Sequence, residues 1–261
     1  MLEIYGHPFA AFYWKVAIAL YERGVPFEFR MVDPDHPANR EAVKRLAPTG
    51  QFPVLVDGGR CVLESAAIIE YLDELWPDPP LLPVAPRERA RARALALLVA
   101  CDIHPLNNLR VLQYLEREYN APLSERETWI RHWIEDGFAA FEALLVEDLS
   151  RGEYCEGESP GIADCCLIPQ VYNARRFGVN LDPYPNIRRI EAACLALPAF
   201  DAANLEPFSP FGFVKHLGPD GVERGIMAAA AIIFFAFYGF DAISTAAEET
   251  RDPGRDLVIG I

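Results

Sequence analysis

Three short stretches of this chain combine residue types and spacings that suit the binding of an anionic, extended ligand. Residues 7–20 read HPFAAFYWKVAIAL and open a helix after a short strand. A helix mouth presents unpaired N–H groups and positive potential, which suit an anion. Ser, Thr, Asp or Asn usually stands at such an entry; here it is Phe9-Ala10-Ala11-Phe12, with no hydroxyl before Tyr13. Gly50-Gln51-Phe52-Pro53-Val54-Leu55 leads a proline into a strand. Proline donates no ladder bond and belongs at an edge or turn. A cis Phe52–Pro53 bond would turn the Phe52 backbone outward, free to pair with a peptide. In Leu63-Glu64-Ser65-Ala66-Ala67 a strand end enters a helix, where Ser65 can offer its hydroxyl and N–H to a carboxylate. Plainer readings stand beside these: a turn at Pro53, a helix cap at Glu64-Ser65, core packing for Tyr13 and a solvated Lys15.

The elements that must position these stretches follow from periodicity. LEIY, FEFRM, FPVLV and CVLE read as strands, and residues 12–23, 40–46 and 66–75 as helices, with Trp14, Ile18 and Tyr21 on one face. The order strand, helix, strand, helix, strand, strand, helix describes a small sheet covered by helices over residues 1–82. The stretch WPDPPLLPVAP is a connector. Residues 87–203 are helical throughout. One long amphipathic run breaks only at His104-Pro105, and ETWIRHWIEDGFAAFEALL and GIADCCLIPQVYNARRF follow. Next comes a helix with Ile187, Ile190, Cys194 and Leu197 on one face.

The formal net charge of -14 over 261 residues argues against nucleic acid or an anionic membrane as main partner. The six cysteines, at 61, 101, 155, 165, 166 and 194, show neither CxxC nor zinc-finger spacing. The expectation is buried, reduced cysteines, no metal, and a cytoplasmic protein without a signal peptide.

Together, and in this order, the three stretches resemble the glutathione transferase family. Ile103-His104-Pro105-Leu106-Asn107-Asn108-Leu109-Arg110-Val111-Leu112 and Ala163–Phe177, continued by Val179, Leu181, Pro183, Tyr184 and Pro185, resemble its zeta class. The resemblance covers about residues 1–203. It implies an α+β fold, with a thioredoxin-like glutathione-binding domain at 1–82 and an all-α substrate domain at 87–203. It implies a cis bond before Pro53, the cysteinyl backbone of glutathione on Phe52, the γ-glutamyl end on Glu64 and Ser65, and the thiolate at residues 10–15. Further glutathione contacts fall on His104, Asn108, Leu109 and Arg110, and the acidic substrate on Arg176, whose guanidinium suits carboxylates. For Arg176 a surface ion pair, and for His104 a helix kink, are the alternatives the residues alone leave open.

The implied activity is glutathione-dependent cis–trans isomerisation of maleylacetoacetate-type acidic diketo compounds, in tyrosine and phenylalanine breakdown, by a homodimer. Glutathione acts as a cofactor: its thiolate adds to the conjugated cis double bond, the bond rotates, and the thiolate leaves.

Two departures matter. Zeta members carry Ser-Ser-Cys-like residues at the first helix mouth, and here Ala10 and Ala11 replace both serines, leaving Tyr13 as the only hydroxyl at the thiolate-stabilising positions. A lost hydrogen bond to a charged group costs roughly 1.5–3 kcal/mol, so weak or absent activity is expected. Gly161 stands where family members place a Ser or Thr cap, with Asp164 retained three residues on.

From 204 the character changes. Gly225–Phe240 carries no charge, and residues 207–261 resemble a segment of amino-acid permeases of the polyamine–organocation type. A hydrophobic helical extension is expected. Reaching the ~20 apolar residues of a membrane span would require Asp241–Ala247, with Asp241 near mid-membrane. The tail therefore reads as a foreign fusion, a membrane tether acting only through 225–247, or an appendage packed on the soluble body. Besides the isomerase or a related transferase, a non-catalytic glutathione-binding protein and a membrane-tethered fusion protein stay open.

Overall fold

A computed structural model describes residues 1–147 and 152–203 and, beyond them, two short strands, with the chain forming two units, Met1–Asn204 and Leu205–Ile261. The first unit opens with β1 (Leu2–Gly6), α1 (Ala11–Glu22), β2 (Phe27–Met31), α2 (Pro37–Leu46), β3 (Val54–Asp57), β4 (Arg60–Leu63) and α3 (Ser65–Leu75). The sheet order is β2-β1-β3-β4. β1 and β2 pair in parallel, with Ile4 opposite Phe29, while β1–β3 and β3–β4 are antiparallel. The parallel pair needs a crossover, and α1 supplies it. Ile4, Val54 and Leu55 are fully buried at the sheet's centre.

α1 differs from the one-faced helix that its spacing suggests. Residues 13–20 are buried without a break, whereas Tyr21 is 41% exposed. The cause is tertiary: α1 packs against α3 and also against helices from the end of the first unit. A helix enclosed on all sides needs no polar face.

The helical part comprises α4 (Pro86–Leu97), α5 (Leu109–Tyr119), α6 (Leu123–Glu147), α7 (Ile162–Arg176), α8 (Pro185–Leu195) and α9 (Pro198–Ala203). Between α4 and α5 the chain forms a π-helical turn, Leu98–Ile103, and a 3-10 turn, His104–Asn107. The break is thus wider than His104-Pro105. Pro105 has no N–H and its ring crowds the carbonyl one turn back, so the helix opens before it. Asn108 then caps α5, its side chain accepting from the Arg110 N–H at 3.2 Å. Trp129 on α6 donates to the Leu106 carbonyl at 2.8 Å and pins this turn. Gly137 lets α6 approach it, since a Cβ there would lie 2.2 Å from the Ile103 side chain.

The sheet and helical parts are tied together by named contacts. Arg93 on α4 grips Glu70 on α3 through two bonds of 2.8 and 2.7 Å. Leu81 in the connector donates to Asp73 at 2.7 Å, and Ile162 donates to the Leu81 carbonyl at 2.9 Å. That second bond explains Gly161: a Cβ at 161 would lie 2.9 Å from the Leu81 oxygen. The cap is forgone for the docking of the connector.

Four cysteines are buried as expected, but Cys61 and Cys101 are exposed, and all six are free. In the second unit, Lys215–Leu217 and Glu223–Gly225 pair as antiparallel strands β5 and β6. The helical extension expected from 204 does not hold for these six residues, and the rest of the permease-like stretch 207–261 lies outside the described residues.

Candidate active site

The cleft forms where the mouth of α1, the β3 entry, the mouth of α3 and the 98–108 turns meet. At α1, Ala10 is the N-cap, extended at φ -99 and ψ 113, and makes no side-chain cap. The N–H groups of Ala11, Phe12 and Tyr13 begin the helix and have no intrahelical acceptor. Phe9 N–H instead donates to His7 Nδ1 at 3.1 Å. Burial pushes the His7 imidazole below its ordinary pKa, against the pull of Asp33.

The bond before Pro53 is cis. No turn, loop or cap hydrogen bond among the described residues uses the Phe52 backbone. At α3, Glu64 has φ 66 and ψ 123, a region costly for a residue with a Cβ, by about 1–3 kcal/mol, and found chiefly at functional sites. Ser65 begins α3, is 4% exposed, and its hydroxyl takes no partner among the described residues.

Two adjoining cavities result. The smaller, about 150 Å³, is lined by Phe52, Pro53, Glu64, Ser65, Asn108 and Arg110, among others. The larger, about 810 Å³, takes in Ala10, Ala11, Phe52, His104, Asn108, Leu109 and Arg176. Phe12, Gln51, Phe52 and Asn108 line both, so the two adjoin across these residues. Of residues 10–15, Ala10, Ala11 and Phe12 line the cavities, whereas Tyr13, Trp14 and Lys15 line neither. The Tyr13 ring packs on Phe29 with centroids 4.8 Å apart and lies against Gly6, whose added Cβ would come 2.6 Å from it. Burial drives its phenol pKa up. The one hydroxyl of the helix mouth is therefore turned into the core and is no donor to the site.

Arg176 is exposed, its guanidinium 5.5 Å from the Phe177 ring, and it forms no ion pair among the described residues. The surface pair belongs to its neighbour: Arg175 donates to Glu191 at 2.8 Å. Arg40 and Lys44 of α2 reach the larger cavity too, so cations gather there in a strongly acidic chain. Lys44 is bound to Glu41 at 2.7 Å, whereas Arg40 has no carboxylate partner among the described residues. Sequence reasoning missed His7 and Arg40, the latter because only the fold brings α2 to the cavity that the end of α7 also lines.

His104 is 6% exposed and stacked on Phe12, with centroids 3.6 Å apart and an angle of 11°. Burial, and then the nearby Lys15, hold it well below its ordinary pKa, so it is neutral. Lys15 is 0% exposed, not solvated, and its Nζ lies 4.7 Å from the Phe12 centroid.

A cis proline at the entry of β3, a free helix mouth on either side of it and an all-helical partner closing the cleft define a glutathione transferase fold. The glutathione S-transferase N-terminal domain family matches residues 4–80. The chain is 46% identical over 190 residues to a maleylpyruvate isomerase of Ralstonia sp, spanning 72% of this chain and 90% of that one. It is 43% identical over 195 residues to the maleylacetoacetate isomerase of Pseudomonas aeruginosa, spanning 73% and 90%. A holo structure of maleyl pyruvate isomerase, a bacterial zeta-class transferase, superposes with TM-score 0.73 at 43% identity, over 77% of this chain and 95% of that one. The maleylacetoacetate isomerase of Anaeromyxobacter dehalogenans, solved with glutathione in its active site, gives TM-score 0.70 at 36% identity, over 81% and 98%. The chain belongs to the zeta-class glutathione transferase family.

Proposed function

We propose that this protein is a glutathione-dependent cis–trans isomerase of short, acidic, unsaturated diketo compounds of the maleylacetoacetate and maleylpyruvate type. The observation that carries the reading is the pair of adjoining cavities: a small pocket lined by Glu64 and Ser65, sharing Phe12 and Phe52 with a larger one whose walls bring Arg40 and Arg176. The residues fit glutathione. The exposed Glu64 carboxylate suits an α-amino group, and the Ser65 hydroxyl and the α3 mouth suit an α-carboxylate. The Phe52 backbone suits the cysteinyl amide, and the α1 mouth suits sulfur. Bound there, glutathione supplies the nucleophile that adds to the double bond and leaves after rotation. Asn108, Leu109 and Arg110 would flank the tripeptide, neutral His104 backs Phe12, and Arg176 would orient the acceptor by its carboxylate. Residues 1–82 thus supply most of the cofactor site, with Asn108 and Arg110 joining it, and Arg176 of 87–203 faces the substrate. The family resemblance adds a cytoplasmic homodimer.

The test is a glutathione-dependent absorbance change with maleylacetoacetate or maleylpyruvate and the full chain. Turnover without glutathione, or none with it while glutathione binds, sinks the isomerase reading; the second result selects the non-catalytic binding protein.

The helix mouth gives a further expected outcome. Ser at 10 would occupy the N-cap and turn its hydroxyl onto the N–H groups of the first turn, so Ala10→Ser stabilises the fold by about 1 kcal/mol. Ser at 11 adds a donor inside the larger cavity, and Ala11→Ser raises kcat about tenfold, the worth of one hydrogen bond to a charged group. Denaturant titration and steady-state kinetics read the two separately.

A further inference from the structure

Lys15 is the most anomalous side chain near the cleft. It is fully buried, and its Nζ has no hydrogen-bond or ion-pair partner among the described residues. An unpaired buried cation is expensive. Its surroundings are polar without being satisfied. Nδ1 of His104 is buried without a partner among the described residues, and so are both amide atoms of Gln170. Gln170 lies one turn beyond Cys166 on α7, on the face that Cys166 turns toward Lys15.

The position of the charge follows from helix geometry. Helical side chains lean toward the N-terminus, over the residues three and four positions back. Lys15 therefore reaches back over Ala11 and Phe12, and the 4.7 Å contact with the Phe12 ring bears this out. That ring lines both cavities. The ammonium thus sits behind the cleft wall, at the end of α1 where the dipole is positive, with little water to screen it.

We propose that Lys15 is the counter-charge of the sulfur site in this chain, stabilising glutathione as its thiolate where no hydroxyl at 10, 11 or 13 can. This rests on the reading that the α1 mouth holds the glutathione sulfur. The thiol proton leaves to solvent, and Lys15 keeps its own. The titratable groups that face Lys15 are Cys166 from α7, Cys101 from the π-helical turn and His104 from the 3-10 turn. None is a carboxylate, so no fixed anion spends the charge before the ligand arrives. Burial lowers the Lys15 pKa, and the two thiols oppose that; an anion at the mouth acts in the same sense as the thiols. Lys15 acts through space rather than by contact and is a positioning charge.

The experiment compares the full wild-type chain with Lys15→Met and Lys15→Arg. The readouts are calorimetric affinity for glutathione and for S-methylglutathione against pH, and the ultraviolet thiolate band of bound glutathione. In wild type the bound thiol titrates well below free glutathione. In Lys15→Met the midpoint rises by about 1–2 pH units, the shift an opposite charge close by produces. S-methylglutathione affinity, which needs no ionised sulfur, changes less than about threefold, and Lys15→Arg keeps the wild-type midpoint. Lys15→Met is also more stable than wild type, since an unpaired buried cation has been removed. Should Met not fold, Lys15→Gln reads the same midpoint. An unmoved midpoint with both ligands still bound overturns the role of Lys15 alone. Failure of wild type to bind either ligand overturns the glutathione reading and the role of Lys15 with it.

Discussion

Replacing Arg176 by Met lowers kcat/KM for the acidic diketo substrate by about a hundredfold, the upper range for a charge-assisted contact of roughly 1.5–3 kcal/mol. Arg176 ends α7 at the larger cavity and has no carboxylate to satisfy it among the described residues, while adjacent Arg175 is held by Glu191. Removing it breaks no internal pair, so stability changes little. The loss falls mainly on KM if the carboxylate is gripped equally before and during reaction, and on kcat if Arg176 holds the double bond in line with the sulfur. Arg176→Lys keeps the charge without the bidentate fork and lies between the two. Glutathione affinity stays within about threefold, because its pocket is formed by residues of the first domain and the 104–110 turn. A drop in kcat/KM below about threefold would remove Arg176 from the substrate site.

How much of this was legible in the sequence depends on the range of the interaction. The strands Leu2–Gly6 and Phe27–Met31 and the helix Pro185–Leu195 lie close to where alternation and apolar spacing place them, because those patterns are local. The Phe52–Pro53 and Glu64-Ser65 stretches were recognisable because backbone chemistry dictates their residue types. Three features were not legible. Lys15 reads as solvated until α7 and α9, more than a hundred residues later, close over α1. The fate of the Tyr13 ring depends on Gly6 and Phe29, across the sheet. The absence of a cap at Gly161 looks like a weakness until the Leu81 carbonyl is seen against it. In each case the deciding neighbour is distant in sequence, and local propensity carries no information about it.

The Leu81 docking point bears on the last and largest stability effect. Asp164 is buried, and its two oxygens accept separate backbone bonds: Oδ2 from Gly161 N–H at 2.8 Å and Oδ1 from Cys155 N–H at 3.0 Å. Asp164→Ala strands both donors and removes the only side-chain cap α7 has among the described residues, since Gly161 offers none. Each stranded donor costs about 1–3 kcal/mol, so the variant loses about 2–6 kcal/mol in denaturant titration at pH 7. Asp164→Asn recovers part of this, because one oxygen still accepts while its NH₂ faces a donor. The pH dependence sets the sign. Burial raises the Asp164 pKa above its ordinary 3.8, with the two backbone bonds opposing. Over the window between 3.8 and the raised value the native state binds the proton and the unfolded state does not. This group's contribution is therefore fully present below 3.8 and is lost as pH rises through the native pKa. What remains at pH 7 is the geometric role of an acceptor for two N–H groups. Because α7 also carries Cys166 and Gln170 against α1 and ends at Arg176, loosening its first turn disturbs both walls of the cleft. Asp164→Ala should then lose glutathione affinity in proportion to its unfolding. An unchanged midpoint of unfolding would mean that other groups satisfy Gly161 and Cys155, and that α7 is anchored elsewhere.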